Sequence, residues 1–74
     1  MDTLQLDAMG LKCPEPVLKV AARAKTIPEG SILEVVADCP NFENDVRKWC
    51  DRTGRIVLSV MEGDGTQKTI QIQF

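Results

Sequence analysis

The sequence of 74 residues contains no histidine and no tyrosine, and its only aromatic residues are two phenylalanines and one tryptophan. Without histidine, the chain cannot supply a Ser-His-Asp or Cys-His catalytic group, or the imidazole ligand of many zinc and haem sites. So few aromatic rings offer little for the bases of a single-stranded nucleic acid to stack on. The 9 basic residues are outnumbered by 11 acidic ones, whereas nucleic-acid binders normally carry a basic surface. We therefore expect no direct contact with nucleic acid.

The sequence also lacks a long apolar run. No segment approaches the roughly 20 apolar residues that span a bilayer. Residues 1–10 contain neither the basic region nor the apolar region of a signal peptide, so we expect a cytoplasmic protein that does not contact membranes. The three cysteines are an odd number without a C-x-x-C pair, which predicts reduced thiols and no bound metal or cofactor.

Hydrophobic periodicity predicts four strands and two helices within one domain over residues 1–74. The expected elements, in order, are strand 3–7, helix 14–25, strand 31–37, helix 42–53, strand 55–61 and strand 66–74. Right-handed crossovers place both helices on one face of a four-stranded mixed sheet. The expected fold class is therefore α/β, as an α+β two-layer sandwich with the order βαβαββ.

The same periodicity predicts which side chains face the core. The strands and the second helix contribute Leu4, Leu6, Leu33, Val35, Ala37, Phe42, Val46, Trp49, Cys50, Thr53, Ile56, Leu58, Val60, Ile70, Ile72 and Phe74. The first helix contributes Val17, Leu18, Ala21 and Ala24. The open face of the sheet carries Ile32, Val36, Val57 and Met61. We interpret these four as scattered surface residues, with a partner surface as the alternative.

Cys13 is the leading candidate for chemistry because it lies at the predicted start of the first helix, in the N-cap position before Pro14. Proline is tolerated in a first helical turn, where Pro16 also falls. Free N–H groups and the positive end of the helix dipole favour an anion such as a thiolate at this place. Cysteine is a poorer cap than Ser, Thr, Asp or Asn, so its presence favours a reactive sulfur over a simple cap.

Charged neighbours are expected to modify this thiol. Lys12 and Lys19 add positive potential, whereas Glu15 opposes a negative charge on sulfur. A single activated thiolate can carry a group covalently, either as a nucleophile or as a persulfide.

The other two cysteines are interpreted differently. Cys50 lies on the apolar face of the second helix beside Trp49, which predicts a buried structural residue. Cys39 precedes Pro40 in the turn after the second strand, and we interpret it as an incidental, partly exposed turn residue. The alternative is a resolving thiol or a second sulfur site. Because Cys39 is the cysteine nearest to Cys13 in sequence, we expect no disulfide of the C-x-x-C type.

Residues 10–16, Gly-Leu-Lys-Cys-Pro-Glu-Pro, preceded by Leu-Asp-Ala at residues 6–8, resemble the C-P-x-P signature of the TusA/SirA sulfur-carrier family. The resemblance covers nearly the whole chain. Further matches are the turns at 28–30 and 38–40, Asp45-Val46, Trp49-Cys50, and Gly54 before the third strand. Cys39 departs from the family pattern, in which an acidic or other polar residue is more familiar.

The resemblance implies that Cys13 is the catalytic residue, which accepts sulfane sulfur as a persulfide from a cysteine desulfurase or a rhodanese-type donor. The sulfur then passes to a thiol of an acceptor protein for tRNA thiolation, molybdenum-cofactor or dissimilatory sulfur pathways. The chain is then a monomeric carrier rather than a stand-alone turnover enzyme. Residues expected to support Cys13 are Lys12, Pro14, Glu15, Pro16 and Lys19. The alternatives are a regulatory interaction module without sulfur transfer and a thiol redox sensor that uses Cys13 and Cys39.

Overall fold

The structure, a computed structural model, describes residues 3–74, so the first two residues of the predicted domain lie outside it. The elements are β1 (Thr3–Asp7), α1 (Glu15–Ala24), β2 (Ile32–Ala37), α2 (Phe42–Thr53), β3 (Ile56–Glu62) and β4 (Lys68–Gln73). Their order confirms the predicted βαβαββ arrangement and the α+β class. Neither helix exceeds 12 residues, and no helix in residues 3–74 is both long enough and apolar enough to cross a membrane.

The four strands form one mixed sheet with the order β1-β2-β4-β3. β1 pairs with β2 in parallel, and β4 pairs antiparallel with both β2 and β3. The helix α1 crosses over between the parallel pair, as a parallel connection requires. β1 and β2 therefore end at the same edge of the sheet, and the two loops that follow them begin side by side.

The core lies on one face of the sheet, where the helices pack. Along β2, buried residues alternate strictly with half-buried ones, as expected for a sheet with a single covered face. The buried apolar side chains form one cluster that includes Phe42, Val46, Trp49 and Cys50 of α2, together with Leu6, Val20, Leu33, Val35, Ala37, Ile70 and Ile72. The fifth residue predicted for this face of α2, Thr53, is exposed in the last turn of the helix. This confirms most of the predicted core of β1, β2, α2 and β4.

The predicted apolar stripe of α1 is wrong at one position. Leu18 is 61% exposed, whereas Val20 is fully buried and Pro16 is buried one turn before it. Val17 and Ala21 flank this pair and pack against the core. A helix rotates by about 100° per residue, so Leu18 falls on the side opposite the line of Pro16 and Val20.

The predicted inward face of β3 is also wrong in part. Ile56 and Leu58 are 58% and 43% exposed, whereas Val57 and Val60 pack against the core. The pairing with β4 shifts register between Val57 and Ser59, where an extra residue enters the strand. Such a bulge reverses the alternation of side chains along a strand. Val57 therefore belongs to the core rather than to the open face.

Helix α2 has the predicted ends. Asn41 is its N-cap residue, and Gly54 ends it in the left-handed conformation with φ 77°. In the first turn, Glu43 accepts hydrogen bonds from Lys68 of β4 and from Arg47, both at 3.0 Å. Both bonds lower the pKa of Glu43 below its ordinary value of 4.5, and the bond from Lys68 has the larger effect. The pair Glu43–Lys68 thus ties the start of α2 to the sheet.

Candidate functional site

The loops after β1 and β2 lie against each other and are joined by hydrogen bonds. The Ala8 N–H donates to the Val36 carbonyl at 2.8 Å and extends the parallel pairing beyond β1. The Gly10 N–H donates to Asp38 Oδ1 at 3.1 Å and links the two loops directly. Thr66 Oγ1 donates to the Asp38 carbonyl at 2.9 Å from the turn between β3 and β4. Asp38 therefore fixes the position of the second loop relative to the first.

Cys13 and Cys39, one from each loop, lie together. Their sulfur atoms are in contact, and their Cα atoms are 5.8 Å apart, which is a typical separation for two cysteines joined by a disulfide. The residues are 26 positions apart in sequence, so the sequence distance gave no sign of this pairing. The two thiols can therefore form a disulfide without movement of the backbone.

The environment of Cys39 differs from the one predicted. Cys39 is only 4% exposed and belongs to the core cluster, so the expected partial exposure is wrong. Its carbonyl accepts the Phe42 N–H at 3.0 Å at the start of α2, which holds the backbone of the loop. The side chain is directed at Cys13 rather than at solvent.

Cys13 is not the N-cap residue of α1. The helix begins at Glu15 and its N-cap is Pro14, so Cys13 lies one residue earlier. The peptide bond between Cys13 and Pro14 is cis. The Pro14 carbonyl accepts the Val17 N–H at 3.1 Å, and the Glu15 N–H donates to the Lys12 carbonyl at 2.8 Å.

The main-chain donors at the start of α1 are therefore largely occupied. Pro16 has no N–H, and the N–H groups of Glu15 and Val17 already bond to carbonyls. The expectation that free N–H groups hold the sulfur of Cys13 is thus wrong for these two residues. What remains for a thiolate is the positive end of the helix dipole.

The two lysines predicted to support Cys13 have different surroundings. Lys19 Nζ donates to the Asp7 carbonyl at 3.1 Å, so it binds the end of β1. Lys12 is exposed next to Cys13 in the chain. Of the remaining predicted supporting residues, Pro14 and Glu15 are exposed and Pro16 is buried.

An open groove of about 420 Å³ lies between the two loops, and it is lined by residues 10–13 and 38–41. Cys13 is half-buried in this lining and is the most exposed of the three cysteines. The groove leaves the Cys13 side chain partly accessible from outside, whereas Cys39, which also lines the groove, is buried.

Cys50 is enclosed in the core. It is 2% exposed, and burial raises the pKa of its thiol to about 11, with Asp51 adding a smaller effect in the same direction. A thiol with this pKa is almost entirely protonated at neutral pH and reacts poorly as a nucleophile. Its position fits the structural role predicted for it.

A signal for the pairing of the two thiols was present in the sequence. Cys13 and Cys39 each precede a proline, and each lies in the loop between a strand and the following helix. In a β-α-β unit such loops meet at one edge of the sheet, where the carboxyl ends of the parallel strands lie. The equivalent positions of Cys13 and Cys39 in these two loops therefore predict that they are close in space, although they are far apart in sequence.

Comparison with known proteins identifies the family. The sequence model of the family described as "Sulfurtransferase TusA" matches residues 4–73. The chain belongs to the TusA family. It is 36% identical over 62 residues to the "Sulfur carrier protein TusA" of Pseudomonas syringae pv. syringae (strain B728a), covering 84% of this chain and 74% of that protein. The TusA/SirA-type sulfur-carrier family predicted from the C-P-x-P signature is thereby confirmed.

Two further relatives agree with this assignment. The "Putative sulfur carrier protein" of Aquifex aeolicus (strain VF5) is 40% identical over 65 residues, which are 88% of this chain. The matched region is only 32% of that protein, so the TusA-family chain spans about a third of its length. The crystal structure of a SirA-like protein from Desulfitobacterium hafniense superposes with a TM-score of 0.74 at 26% identity, covering 97% of this chain and 95% of the other. The βαβαββ fold is thus shared with a solved SirA-like structure.

Proposed function

We propose that this TusA-family chain carries sulfane sulfur as a persulfide on Cys13. The observation that supports this choice is the difference in access among the three cysteines. Cys13 is half-buried in an open groove, whereas Cys39 and Cys50 are both buried. A protein donor or acceptor must bring its own sulfur into contact with the carrier sulfur, and the groove provides that access at Cys13.

The loading step is a thiolate attack on a persulfide of the donor. The Cys13 thiolate attacks the outer sulfur of the donor persulfide, a new S–S bond forms on Cys13, and the donor cysteine leaves as a thiolate. Onward transfer repeats the step, with an acceptor thiolate attacking the outer sulfur on Cys13. Neither step changes the total oxidation state, and the positive end of the α1 dipole favours the anionic forms of Cys13 in both.

The partners of this reaction are proteins that supply what the chain lacks. A cysteine desulfurase or a rhodanese-type protein is the proposed donor, and a thiol protein of a sulfur relay is the proposed acceptor. Histidine is absent from the chain, so proton transfers near neutral pH fall to the partners or to water. The proposed setting is cytoplasmic, and the proposed pathways are tRNA thiolation, molybdenum-cofactor synthesis or dissimilatory sulfur metabolism.

Sulfur transfer from radiolabelled cysteine tests the proposal. The reduced chain is incubated with a cysteine desulfurase and cysteine labelled in its sulfur. Free thiols and persulfides are then blocked at once with an alkylating reagent, before any sulfur can be released, and the chain is separated under non-reducing conditions. We expect label on the wild type and on Cys50→Ala, no label on Cys13→Ser, and loss of all label after treatment with a dithiol. A Cys13→Ser variant that is folded by circular dichroism and still takes up label would contradict the proposal.

A redox sensor is the second candidate function, and the contact between the Cys13 and Cys39 sulfurs favours it. Peroxide would oxidise the two thiols to a disulfide and would itself be reduced to water. Mild peroxide in the absence of any sulfur donor tests this function. A reduced chain that does not form the Cys13–Cys39 disulfide under these conditions would exclude it.

A further inference from the structure

Cys39 has no task in sulfur carriage by Cys13 alone. A carrier that hands sulfur from one protein to another needs a single accessible thiol, and a second thiol in contact with it competes for the carried sulfur. Cys39 is buried, yet its sulfur touches the Cys13 sulfur. Because Cys39 is buried and Cys13 is half-buried, an outside sulfur meets Cys13 more readily, and the contact points to an internal reaction between the two residues.

The backbone separation decides which atom of a Cys13 persulfide Cys39 attacks. The Cα atoms are 5.8 Å apart, in the range of two cysteines joined through one S–S bond. A bond to the outer sulfur would place three sulfur atoms between the two side chains and needs a wider gap. The spacing thus favours attack at the Cys13 sulfur itself.

The surrounding hydrogen bonds keep Cys39 in this position. The Gly10 N–H donates a hydrogen bond of 3.1 Å to Asp38 Oδ1, which links the two loops. The Phe42 N–H donates a hydrogen bond of 3.0 Å to the Cys39 carbonyl, which fixes the turn that follows. Residues on both sides of Cys39 are thus tied to the sheet edge and to α2. An intramolecular attack from a held position has a large effective concentration, so it competes with transfer to an outside acceptor.

We propose that Cys39 is a resolving thiol that releases the carried sulfur as hydrosulfide. This inference rests on the proposed carrier function of Cys13. The Cys39 thiolate attacks the Cys13 sulfur of the persulfide, the Cys13–Cys39 disulfide forms, and the bond to the outer sulfur breaks. The outer sulfur leaves with its proton and the electron pair as HS⁻. The sulfane sulfur is reduced and the two cysteines are oxidised, so electrons and atoms balance.

The disulfide then has to be reduced before the chain can be loaded again. A dithiol reductant converts it back to two thiols and is itself oxidised to a disulfide. The chain therefore has two outlets for its sulfur: transfer to an acceptor thiol, and release as hydrosulfide with oxidation of the Cys13–Cys39 pair. When an acceptor thiol reaches Cys13 before Cys39 attacks, the sulfur is transferred to the acceptor. When no acceptor is present, the sulfur is released as hydrosulfide.

The fate of a loaded persulfide in the absence of any acceptor tests this proposal. The reduced full chain is loaded by a cysteine desulfurase with cysteine, or by inorganic polysulfide, and is then desalted quickly from donor and thiols. Intact mass, released hydrosulfide and the non-reduced peptide map are followed over time. The variants are Cys39→Ala and Cys39→Ser, and Cys50→Ala is the matched control that removes a buried cysteine outside the site.

For the wild type and Cys50→Ala, we expect loss of the added sulfur, one hydrosulfide per loaded chain, and a cross-linked peptide pair containing Cys13 and Cys39. Both Cys39 variants should keep the added sulfur and lose the hydrosulfide signal. Equal rates of hydrosulfide release in wild type and folded Cys39 variants overturn the proposal but leave the carrier role intact. A wild type that releases its sulfur without the cross-linked pair, or moves it to Cys39, overturns it whatever the variants do. Failure of both donors to load Cys13 contradicts the proposed function, and the resolving role with it.

Discussion

Oxidation of the Cys13–Cys39 pair should stabilise the folded chain strongly. The perturbation is the removal of this bond, either by a dithiol reductant or by Cys39→Ala. Since the two Cα atoms already lie at a disulfide separation, oxidation requires no rearrangement of the fold. The effect should therefore come mainly from the unfolded chain, which the bond restricts.

The magnitude follows from the size of the closed loop. The cysteines are 26 positions apart, and closing a loop of this length removes about 12 cal/mol/K of chain entropy, or about 3.5 kcal/mol at 25 °C. A folded chain of 74 residues has a total stability of roughly 4–11 kcal/mol. The disulfide thus accounts for a third or more of the stability of the oxidised form. With a urea m-value of about 1 kcal/mol/M for so small a chain, the midpoint should rise by roughly 3.5 M.

Urea unfolding of the oxidised and reduced wild type, followed by circular dichroism, measures this shift. Cys39→Ala measured with and without reductant is the control, and its midpoint should not respond to the reductant. Cys50→Ala should respond as the wild type does. Equal midpoints for the oxidised and reduced wild type, with the disulfide verified by mass, would refute the conclusion that the native fold accommodates this bond without rearrangement.

Three other properties follow from the burial and charge of particular residues. In the folded chain at pH 8, iodoacetamide should leave Cys50 unmodified, because its thiol is buried and only about one part in a thousand is ionised; modification at the rate of a free cysteine would contradict this. Leu33→Ala should lower the free energy of unfolding by about 2–5 kcal/mol because Leu33 is fully buried. Leu18→Ala, on the exposed side of α1, should change it by less than about 0.5 kcal/mol. Equal losses for the two variants in urea unfolding would show that the buried face of α1 is misassigned. The pKa of Glu43 is lowered in the folded chain, first of all by its bond to Lys68. Ionised Glu43 therefore stabilises the fold fully above about pH 4.5, and this stabilisation is lost as the pH falls through the lowered pKa. The stability difference between wild type and Glu43→Gln should accordingly disappear in acid, and a difference independent of pH would contradict the assignment.

The order of elements could be predicted because local patterns were consistent with the tertiary structure. Apolar residues alternate with other residues in β2 and β4, and this pattern is typical of strands only. The apolar residues of α2 have helical spacing, and Gly54 marks the end of that helix. The errors arose where one residue changed the pattern. In β3, the bulge at Leu58 shifted the alternation. The position of the bulge depends on how β3 pairs with β4, and the residues of β3 alone do not predict that register.

The candidate site was predicted in part. The C-P-x-P signature identified the family and made Cys13 the candidate carrier, because it is a local motif. The contact of Cys13 with Cys39 is a property of the parallel pairing of β1 and β2, which sets two loops side by side across 26 positions of sequence. The occupied N–H groups at the start of α1 were also not predictable, because they depend on the turn in which Glu15 bonds to the Lys12 carbonyl.

Tandem mass spectrometry of the freshly loaded chain shows directly whether Cys13 carries the sulfur. The chain is loaded by a cysteine desulfurase, all free thiols and persulfides are blocked at once with an alkylating reagent, and the peptides are sequenced without reduction. Sulfur carriage by Cys13 predicts one additional sulfur atom between the alkyl group and Cys13, and none on Cys39 or Cys50. Additional sulfur on Cys39 or Cys50 with Cys13 unmodified would contradict it.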